Sequence, residues 1–503
     1  MTTSDVDTSA ILLALLALVT LYWLWTKNRR SYAKFNVPPF PVQPWPIVGH
    51  FFMLFGNVVD KLRKWHKNAG DIYSLDLVGQ LQIVFNNFDD IKYVWVKQAD
   101  KIVNILHHFG DDILDECDTG IISGRDANWK EQRTTSMTIL RSFGMGKNLM
   151  AETILQEAAV VNEKLASSKG QANNFQTLIN MGVSNVISSV AVGRRFDYED
   201  PDFVSLIRRV NIFIRYFIGV QTLTPLKQVF SLPGDMFHAK KWLQSASEIT
   251  EHYSKPFVRQ YQKEFDVDEE PNNFICAYLK EMKNKKDKNA PTHLDEKNLL
   301  AILRTLFTAG AETTSTTIMW CLLYMLHYPK VQENVYREIE ANVGTQRLPN
   351  MADKPKLTYL NAVINETQRI TCLFPLAFKR EVTEPFEVRG FTIPKGSVVW
   401  PVLHSVHFDK RIWGDPENFR PERFIDEKGA LINREQLITF GVGRRICLGE
   451  SLARMELFLF LACMFQRFRF EPEDKSGKLP TLEGISGSAI LPHPFKMRFI
   501  ERK

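Results

Sequence analysis

The residues best suited to chemistry lie in one short stretch near the end of the 503-residue chain, Phe440-Gly-Val-Gly443-Arg-Arg445-Ile-Cys447-Leu-Gly449. Glycines, an aromatic ring and arginines surround a single thiol, and a long apolar helical pattern follows directly. Without a Cβ, Gly441 and Gly449 let a bulky flat ligand come close to the backbone. A cysteine ahead of a helix has unpaired N–H groups and the positive dipole end beside it, which favours the thiolate. Such a sulfur suits a soft metal, and Arg445 can pair with an anionic group on a cofactor. A cysteine between glycines also occurs as a purely structural turn, and the stretch alone leaves both readings open.

Three further constellations can carry chemistry. Trp129 and Arg133 are four residues apart, hence on one helix face, where an indole N–H and a guanidinium can grip one carboxylate. A surface cation beside a half-buried tryptophan is the plain alternative. Residues 309–317, Ala-Gly-Ala-Glu312-Thr313-Thr-Ser-Thr-Thr, form a polar stretch inside an otherwise apolar helical pattern. Glycine and successive β-branched residues are poor helix formers, and their hydroxyls compete for backbone carbonyls. That stretch can open room for a bound molecule beside Ala309 and Gly310 and supply an acid and a hydroxyl for proton delivery. Threonines packed in a helix–helix seam would read the same. Glu366 and Arg369 are three apart on one helix face, a spacing that also arises by chance in long chains; Pro421-Glu-Arg423-Phe424 offers a second arginine for that carboxylate, which would complete a buried structural triad. Asn365-Glu-Thr367 matches a glycosylation sequon, but it overlaps this helix and is expected to stay unmodified.

The elements that must position these groups are mostly helices. The pattern from residue 295 to 327 gives a helix about 50 Å long at 1.5 Å per residue, and residues 151–260 read as several more. Residues 448–468 are almost continuously apolar, so this helix is buried on most sides. Short β-type runs near residues 72–75 and 81–85 read as a small sheet. Ile212-Phe-Ile-Arg-Tyr-Phe217-Ile is core, pocket wall or membrane-dipping surface, and the lysine-rich residues 280–288 read as a solvated loop. Nothing resembling a flexible linker divides residues 51–503, which are expected to form one large domain of mainly α class with small β-sheets (α+β).

Residues 10–25 are apolar, end in Tyr22, Trp23 and Trp25, and are followed by Lys27, Arg29 and Arg30. Aromatics at one end with cations just beyond fit an uncleaved transmembrane anchor over residues 1–30, with the bulk of the chain cytosolic. Residues 31–50 carry a proline-rich segment, a semi-rigid hinge. Six scattered cysteines without a C-x-x-C point to a reducing compartment, not to disulfides or structural zinc. A net charge of +6 fits a membrane surface or an acidic protein partner and is too weak for nucleic acid.

Taken in order, these motifs resemble those of a cytochrome P-450, a haem-thiolate monooxygenase. The resemblance covers the anchor and hinge, Trp129-x-x-x-Arg133, Ala309-Gly-x-Glu-Thr313, Glu366-x-x-Arg369, Pro421-Glu-Arg-Phe424 and Phe440-Gly-x-Gly-x-Arg-x-Cys447-x-Gly449. Phe143-Gly-Met-Gly-Lys147, Arg195-Phe-Asp-Tyr198 and Arg454-Met-Glu-Leu457 point to the microsomal subgroup that oxidises drugs and steroids. The resemblance implies a cytochrome P-450 fold around haem b (iron protoporphyrin IX), with Cys447 as the axial thiolate and Phe440 packed near the sulfur. It implies that Trp129, Arg133 and Arg445 hold the haem propionates, that Thr313 hydrogen-bonds dioxygen or a nearby water, and that Glu312 helps relay protons. Glu366, Arg369 and Arg423 would brace the core. Phe213, Phe217, Phe307, Ala309, Ala377, Phe378 and Ala489 would line the substrate pocket, together with residues 106–117 and 488–490.

Three departures stand out. Phe40 replaces the usual hinge glycine; Lys379-Arg380 stands where relatives often have a propionate-binding histidine, so Arg380 is the expected substitute; and an arginine usual before the Trp129 helix has no counterpart in residues 102–110. The implied reaction inserts one oxygen atom of O2 into a lipophilic xenobiotic, steroid or fatty acid. Electrons would come from NADPH through a separate flavoprotein reductase, with cytochrome b5 as a further partner, because the chain has no dinucleotide fingerprint. The basic residues Lys130, Arg133 and Arg141 offer a docking face or a merely solvated one. The expected location is the endoplasmic reticulum membrane. The rival readings are an isomerase or dehydratase of hydroperoxides and a non-catalytic membrane-anchored haem-binding protein.

Overall fold

The alternating and continuous apolar runs of residues 72–85 become a tight hairpin because the turn between them takes two left-handed residues. Val78 has φ 55° and Gly79 φ 86°, the backbone that lets a two-residue turn follow the twist of its strands. Strands β1 (Ile72–Leu77) and β2 (Gln80–Phe85) pair antiparallel from Ile72↔Phe85 to Leu77↔Gln80. The computed structural model describes residues 8–32, 34–106, 114, 118–145, 148–223, 234–235, 238–432, 434–474, 478–485, 487 and 489–502. The expected pocket residues 107–113, 115–117 and 488, and residues 146–147 of the Phe143 motif, lie outside the described residues. The chain forms two compact units. The first comprises Met1–Leu106, Pro375–Val406 and Gly441–Ile446, and the second His107–Phe374, His407–Phe440 and Cys447–Lys503.

In the first unit the hairpin grows into a four-stranded sheet of order β1-β2-β6-β3, with β3 at Arg380–Glu381 and β6 at Val398–Pro401. The β2–β6 pairing is parallel, in register Gln82↔Val398 to Phe85↔Pro401. Strands β4 (Phe386–Val388) and β5 (Phe391–Ile393) form a separate hairpin. Helix α1 (Thr8–Tyr32) carries exposed apolar side chains between Leu12 and Leu24, Leu13 at 67% among them. Among the described residues no helix is long and apolar enough to cross a membrane. Helix α2 (Val58–Ala69) starts at the Asn57 side chain, which accepts from the Asp60 N–H.

The second unit is predominantly helical. Its helices are α3 (Asp126–Ser142), α4 (Asn148–Ala166), α5 (Gln176–Val192), α6 (Pro201–Leu223), α7 (Ala239–Ile249), α8 (Lys255–Glu264), α9 (Phe274–Asp287), α10 (Glu296–His327), α11 (Pro329–Asn342), α12 (Thr358–Thr371) and α13 (Glu450–Arg467). Small antiparallel pairs accompany them, β7 (Phe468–Pro472) with β10 (Met497–Glu501) and β8 (Gly484–Ile485) with β9 (Leu491–Pro492). The fold class is therefore mainly α with small sheets. The lysine-rich residues 280–287 are not a loop: they form the last turns of α9, where Lys285 and Lys286 sit well against the negative helix end.

The 32-residue α10 runs through the core and is buried along most of its length. Asp295 caps its start by accepting from the Asn298 N–H at 2.7 Å. Glycines in α10 and α5 allow close helix approach: a Cβ on Gly310 of α10 would stand 2.5 Å from Ile187 Cδ1 of α5, and one on Gly182 of α5 would stand 2.5 Å from Val161 of α4. Gly310 thus serves a helix seam.

Glu366 and Arg369 of α12 are both fully buried. Arg369 donates through Nε and Nη2 to the two oxygens of Glu366 at 2.7 and 2.8 Å, and Arg423 Nε donates to the same carboxylate at 3.0 Å. Other donors reach backbone carbonyls, Arg369 Nη1 to His407 O at 2.9 Å and Arg423 Nη1 to Trp413 O at 2.6 Å, and Arg423 Nη2 also pairs with the Asp415 carboxylate at 3.2 Å. Nearby, Ala362, Trp413 and Phe424 form a buried apolar cluster. Removing one partner of a buried ion pair strands the other, so Arg369→Leu should cost about 3–5 kcal/mol. Urea unfolding of the full-length protein checks this, and an unchanged midpoint would refute it.

Candidate active site

Cys447 stands three residues before the first residue of α13, and Gly449 caps that helix. Its N–H donates to Phe440 O at 3.0 Å, which ties together the two ends of the glycine-rich stretch. The thiol is exposed. Burial by surrounding protein nevertheless pushes it above its ordinary value, and Glu450 pushes the same way; the Gly449 N–H and Arg133 act against them. The sequence-based expectation of a thiolate favoured by the helix start is thus reversed, because desolvation outweighs the dipole. A charged sulfur here needs a further positive partner. Phe440 lies with its ring 4.8 Å from the Arg454 guanidinium carbon.

On α3, Trp129 is buried and the Arg133 guanidinium carbon lies 6.0 Å from its ring. Burial holds Arg133 below its ordinary value while the Cys447 sulfur draws it up, so the two groups share one electrostatic neighbourhood. Among the described residues no three His, Cys, Asp or Glu side chains gather to hold a metal ion. A single accessible sulfur fits a metal that brings its own equatorial ligands, as haem iron does. Room is present too: a Cβ on Gly449 would meet nothing within 4 Å.

The polar turn of α10 is held from its own side chains. Thr308, Thr313 and Thr317 each donate to the carbonyl four residues back, Thr313 Oγ1 to Ala309 O at 2.8 Å. Ala309 is exposed and Thr313 half-buried. Glu312 is buried and turned into the helix seam, where its carboxyl accepts from Asn180 Nδ2 of α5 at 2.5 Å and Thr316 Oγ1 at 3.2 Å. With its amide oriented to donate, Asn211 of α6 reaches the same carboxyl at 2.6 Å.

Phe213 and Phe217 of α6 have ring centroids 5.3 Å apart, and Phe213 stacks on Trp242 of α7 at 5.4 Å. These three rings, with Ala301, Arg304 and Thr308 of α10, wall a cavity of about 30 Å³, the room of a water or two. Phe307 and Ala489 are buried. Trp242 and Arg304 were not singled out in the sequence; an arginine inside the apolar run Ala301–Phe307 was the available signal.

In the first unit, a Cβ on Gly443 (φ 79°) would lie 2.1 Å from Trp95 O, so only glycine fits. Gly441 has the same φ with open space beside it. Arg445 Nε donates to Val103 O at 2.8 Å. Arg380 is buried at the start of β3, paired with Val399 of β6. Lys379 beside it is also buried, its Nζ 4.0 Å from the Trp400 ring centroid, and burial pushes it down to about 7. Ala377 and Phe378 are half-buried just before it.

Burial pushes the Glu312 carboxyl up to about 7 from 4.5, while the Thr316 and Asn180 hydrogen bonds oppose the rise. The native state therefore keeps a proton that the unfolded chain releases. The stability this contributes is complete below the unfolded value and is lost as pH rises through the folded one. The urea midpoint of wild type should fall between about pH 5 and about pH 8 more steeply than that of Glu312→Gln. Equal slopes would show that Glu312 does not hold that proton.

Residues 38–499 match the family model described as Cytochrome P450. The chain is 33% identical to cytochrome P450 2U1 of Bos taurus over 519 residues, which cover 98% of this chain and 93% of the relative. Against cytochrome P450 2U1 of Homo sapiens the identity is 33% over 526 residues, covering 99% and 94%. With cytochrome P450 2D10 of Mus musculus it is 34% over 480 residues, covering 93% and 92%. Matched over nearly its whole length, with an accessible cysteine ahead of its last long helix, the chain belongs to the cytochrome P450 family and is a haem-thiolate monooxygenase.

Proposed function

We propose that this monooxygenase hydroxylates a lipophilic small molecule, RH + O2 + two electrons + two protons giving ROH + water, and that Cys447 would hold the haem iron through its sulfur. The observation that carries this reading is the accessible Cys447 sulfur, tied by its backbone to Phe440 and within electrostatic reach of Arg133. Haem held by a thiolate supplies O2 activation, the sulfur favouring O–O cleavage. Trp129, Arg133, Arg380 and Arg445 are the residues to hold the propionates, and Gly441 and Gly449 leave room for the ring.

Thr313 presents a hydroxyl beside the exposed Ala309, and Glu312 titrates near neutrality, the range in which a group both takes and gives a proton. The aromatic residues Phe213, Phe217, Phe307 and Phe378, with Ala309, Ala377 and Ala489, favour an apolar substrate such as a xenobiotic, steroid or fatty acid. Electrons reach the enzyme from NADPH through a separate flavoprotein reductase, with cytochrome b5 as a second donor. The exposed apolar side chains of α1, followed in sequence by Lys27, Arg29 and Arg30, support an anchor in the endoplasmic reticulum membrane that leaves the two units cytosolic.

The carbon monoxide spectrum of the reduced protein decides the ligand. Wild type gives the red-shifted thiolate Soret band and Cys447→Ser loses it; an imidazole-type band in wild type would remove Cys447 from the role. With reductase and a hydroxylated substrate in hand, Thr313→Ala should keep that spectrum while product per NADPH falls by about tenfold or more. Turnover of a hydroperoxide without NADPH or reductase, and no hydroxylation with them, would replace this reading with an isomerase.

A further inference from the structure

One carboxyl interrupts the apolar face-to-face packing of α13. Glu456 is 1% exposed, between Met455 and Leu457, both also buried. Its Oε2 meets Thr314 Oγ1 of α10 at 3.1 Å, and its Oε1 meets no donor. Thr314 directly follows Glu312 and Thr313, so this contact joins the polar turn to the helix that begins just after Cys447.

Geometry alone argues against a charge on Glu456. An ionised carboxylate asks for donors at both oxygens, and a core that leaves one oxygen bare makes it very costly. Thr314 Oγ1 donates to Oε2 as the helices stand; because a hydroxyl also accepts, a neutral acid can turn the bond round, give its proton to Thr314 Oγ1 and leave only a carbonyl oxygen bare, the polar atom that best tolerates it. Among the described residues no cation compensates either. Burial raises the group and Thr314's bond lowers it, with no contribution from Glu157 on α4, Glu312 on α10, Lys354, the Glu366–Arg369 pair of α12, or Glu450 and Arg454 of its own helix. Burial pushes it up to about 8.

The turn needs such a hold. Ala311 to Thr317 includes four threonines and a serine, residues that form helix poorly and whose hydroxyls pull on carbonyls of the preceding turn. Glu312 fastens the turn towards α5 through Asn180, and Glu456 fastens it towards α13 through Thr314. Thr313 lies between those two fastenings.

We propose that Glu456 is a positioning residue: neutral, it ties Thr314 to α13 and so fixes where Glu312 and Thr313 stand, and its ionisation, which sets a charge with one bare oxygen into this core, loosens the turn. The proposal rests on the monooxygenase role of that turn. The test uses full-length, haem-loaded wild type, Glu456→Gln and Glu456→Leu with reductase, followed from about pH 6 to about pH 9 by two readouts. These are product per NADPH and hydrogen–deuterium exchange of the peptide spanning residues 309–317, corrected for the intrinsic pH dependence.

In wild type both should change with an inflection near 8: product per NADPH falls and exchange accelerates. Glu456→Gln, neutral at every pH and able to donate to Thr314, should match wild type within about twofold near neutrality and lose both inflections. Glu456→Leu should lower product per NADPH about tenfold, as misplacement of a reacting group does, and exchange fast at every pH. Wild type and Glu456→Gln both keep Glu312, so their difference isolates Glu456. Identical profiles for wild type and Glu456→Gln overturn the proposal, even if Glu456→Leu fails to fold. If wild type makes no product, the monooxygenase reading fails, and the exchange arm still decides whether Glu456 holds the turn.

Discussion

Glu366 lies wholly inside the protein, and its charge dictates how the surrounding segment folds. Two guanidiniums, from Arg369 and Arg423, and the Arg420 N–H converge on it. Each arginine then spends its other donors on carbonyls of residues 407–418. A segment with little regular secondary structure is thereby fixed to α12 by directional, charge-assisted bonds. The same segment continues to Phe440, whose carbonyl receives the Cys447 N–H. The buried charge thus anchors the stretch of chain that leads towards Cys447.

A second theme is the burial of acids whose hydrogen bonds come from hydroxyls and amides. Glu366 is paired; Glu312 and Glu456 are held by hydroxyls and amides only, and burial raises both. Their partners come from different helices, so α10 is fastened on two sides at the turn where its own sequence supports helix least. Lys379 follows the same logic with the opposite sign, its amine set over the Trp400 ring.

Much of this was legible in the sequence where spacing alone sets geometry. Glu366 and Arg369 are three apart on a helix, so their pairing follows from helix periodicity, and β1 and β2 follow from the β-type runs of residues 72–75 and 81–85. What escaped depends on neighbours that are distant in the chain. Gly310 looked like room for a ligand, but Ile187 of α5 fills that side. The thiolate preference expected of Cys447 ignored the protein packed around it. Lysines 280–286 looked like a loop because charge was weighed above helix propensity, in which lysine ranks well. In the sequence Glu456 reads only as part of the Arg454-Met-Glu-Leu457 motif because its partner, Thr314, lies more than a hundred residues upstream.

The contact between Gly443 and Trp95 O bears on how this loop can drift in evolution. At Gly443 any side chain would overlap a carbonyl oxygen that belongs to the backbone and cannot be exchanged by mutation. Compensation would require moving the π-helical turn Tyr93–Lys97 itself. Its neighbour Arg444 makes only a surface ion pair with Asp100 and is exposed. Adjacent codons therefore stand at opposite extremes: one is frozen by main-chain geometry that no second-site substitution can relieve, while the next is free to vary with whatever meets the surface.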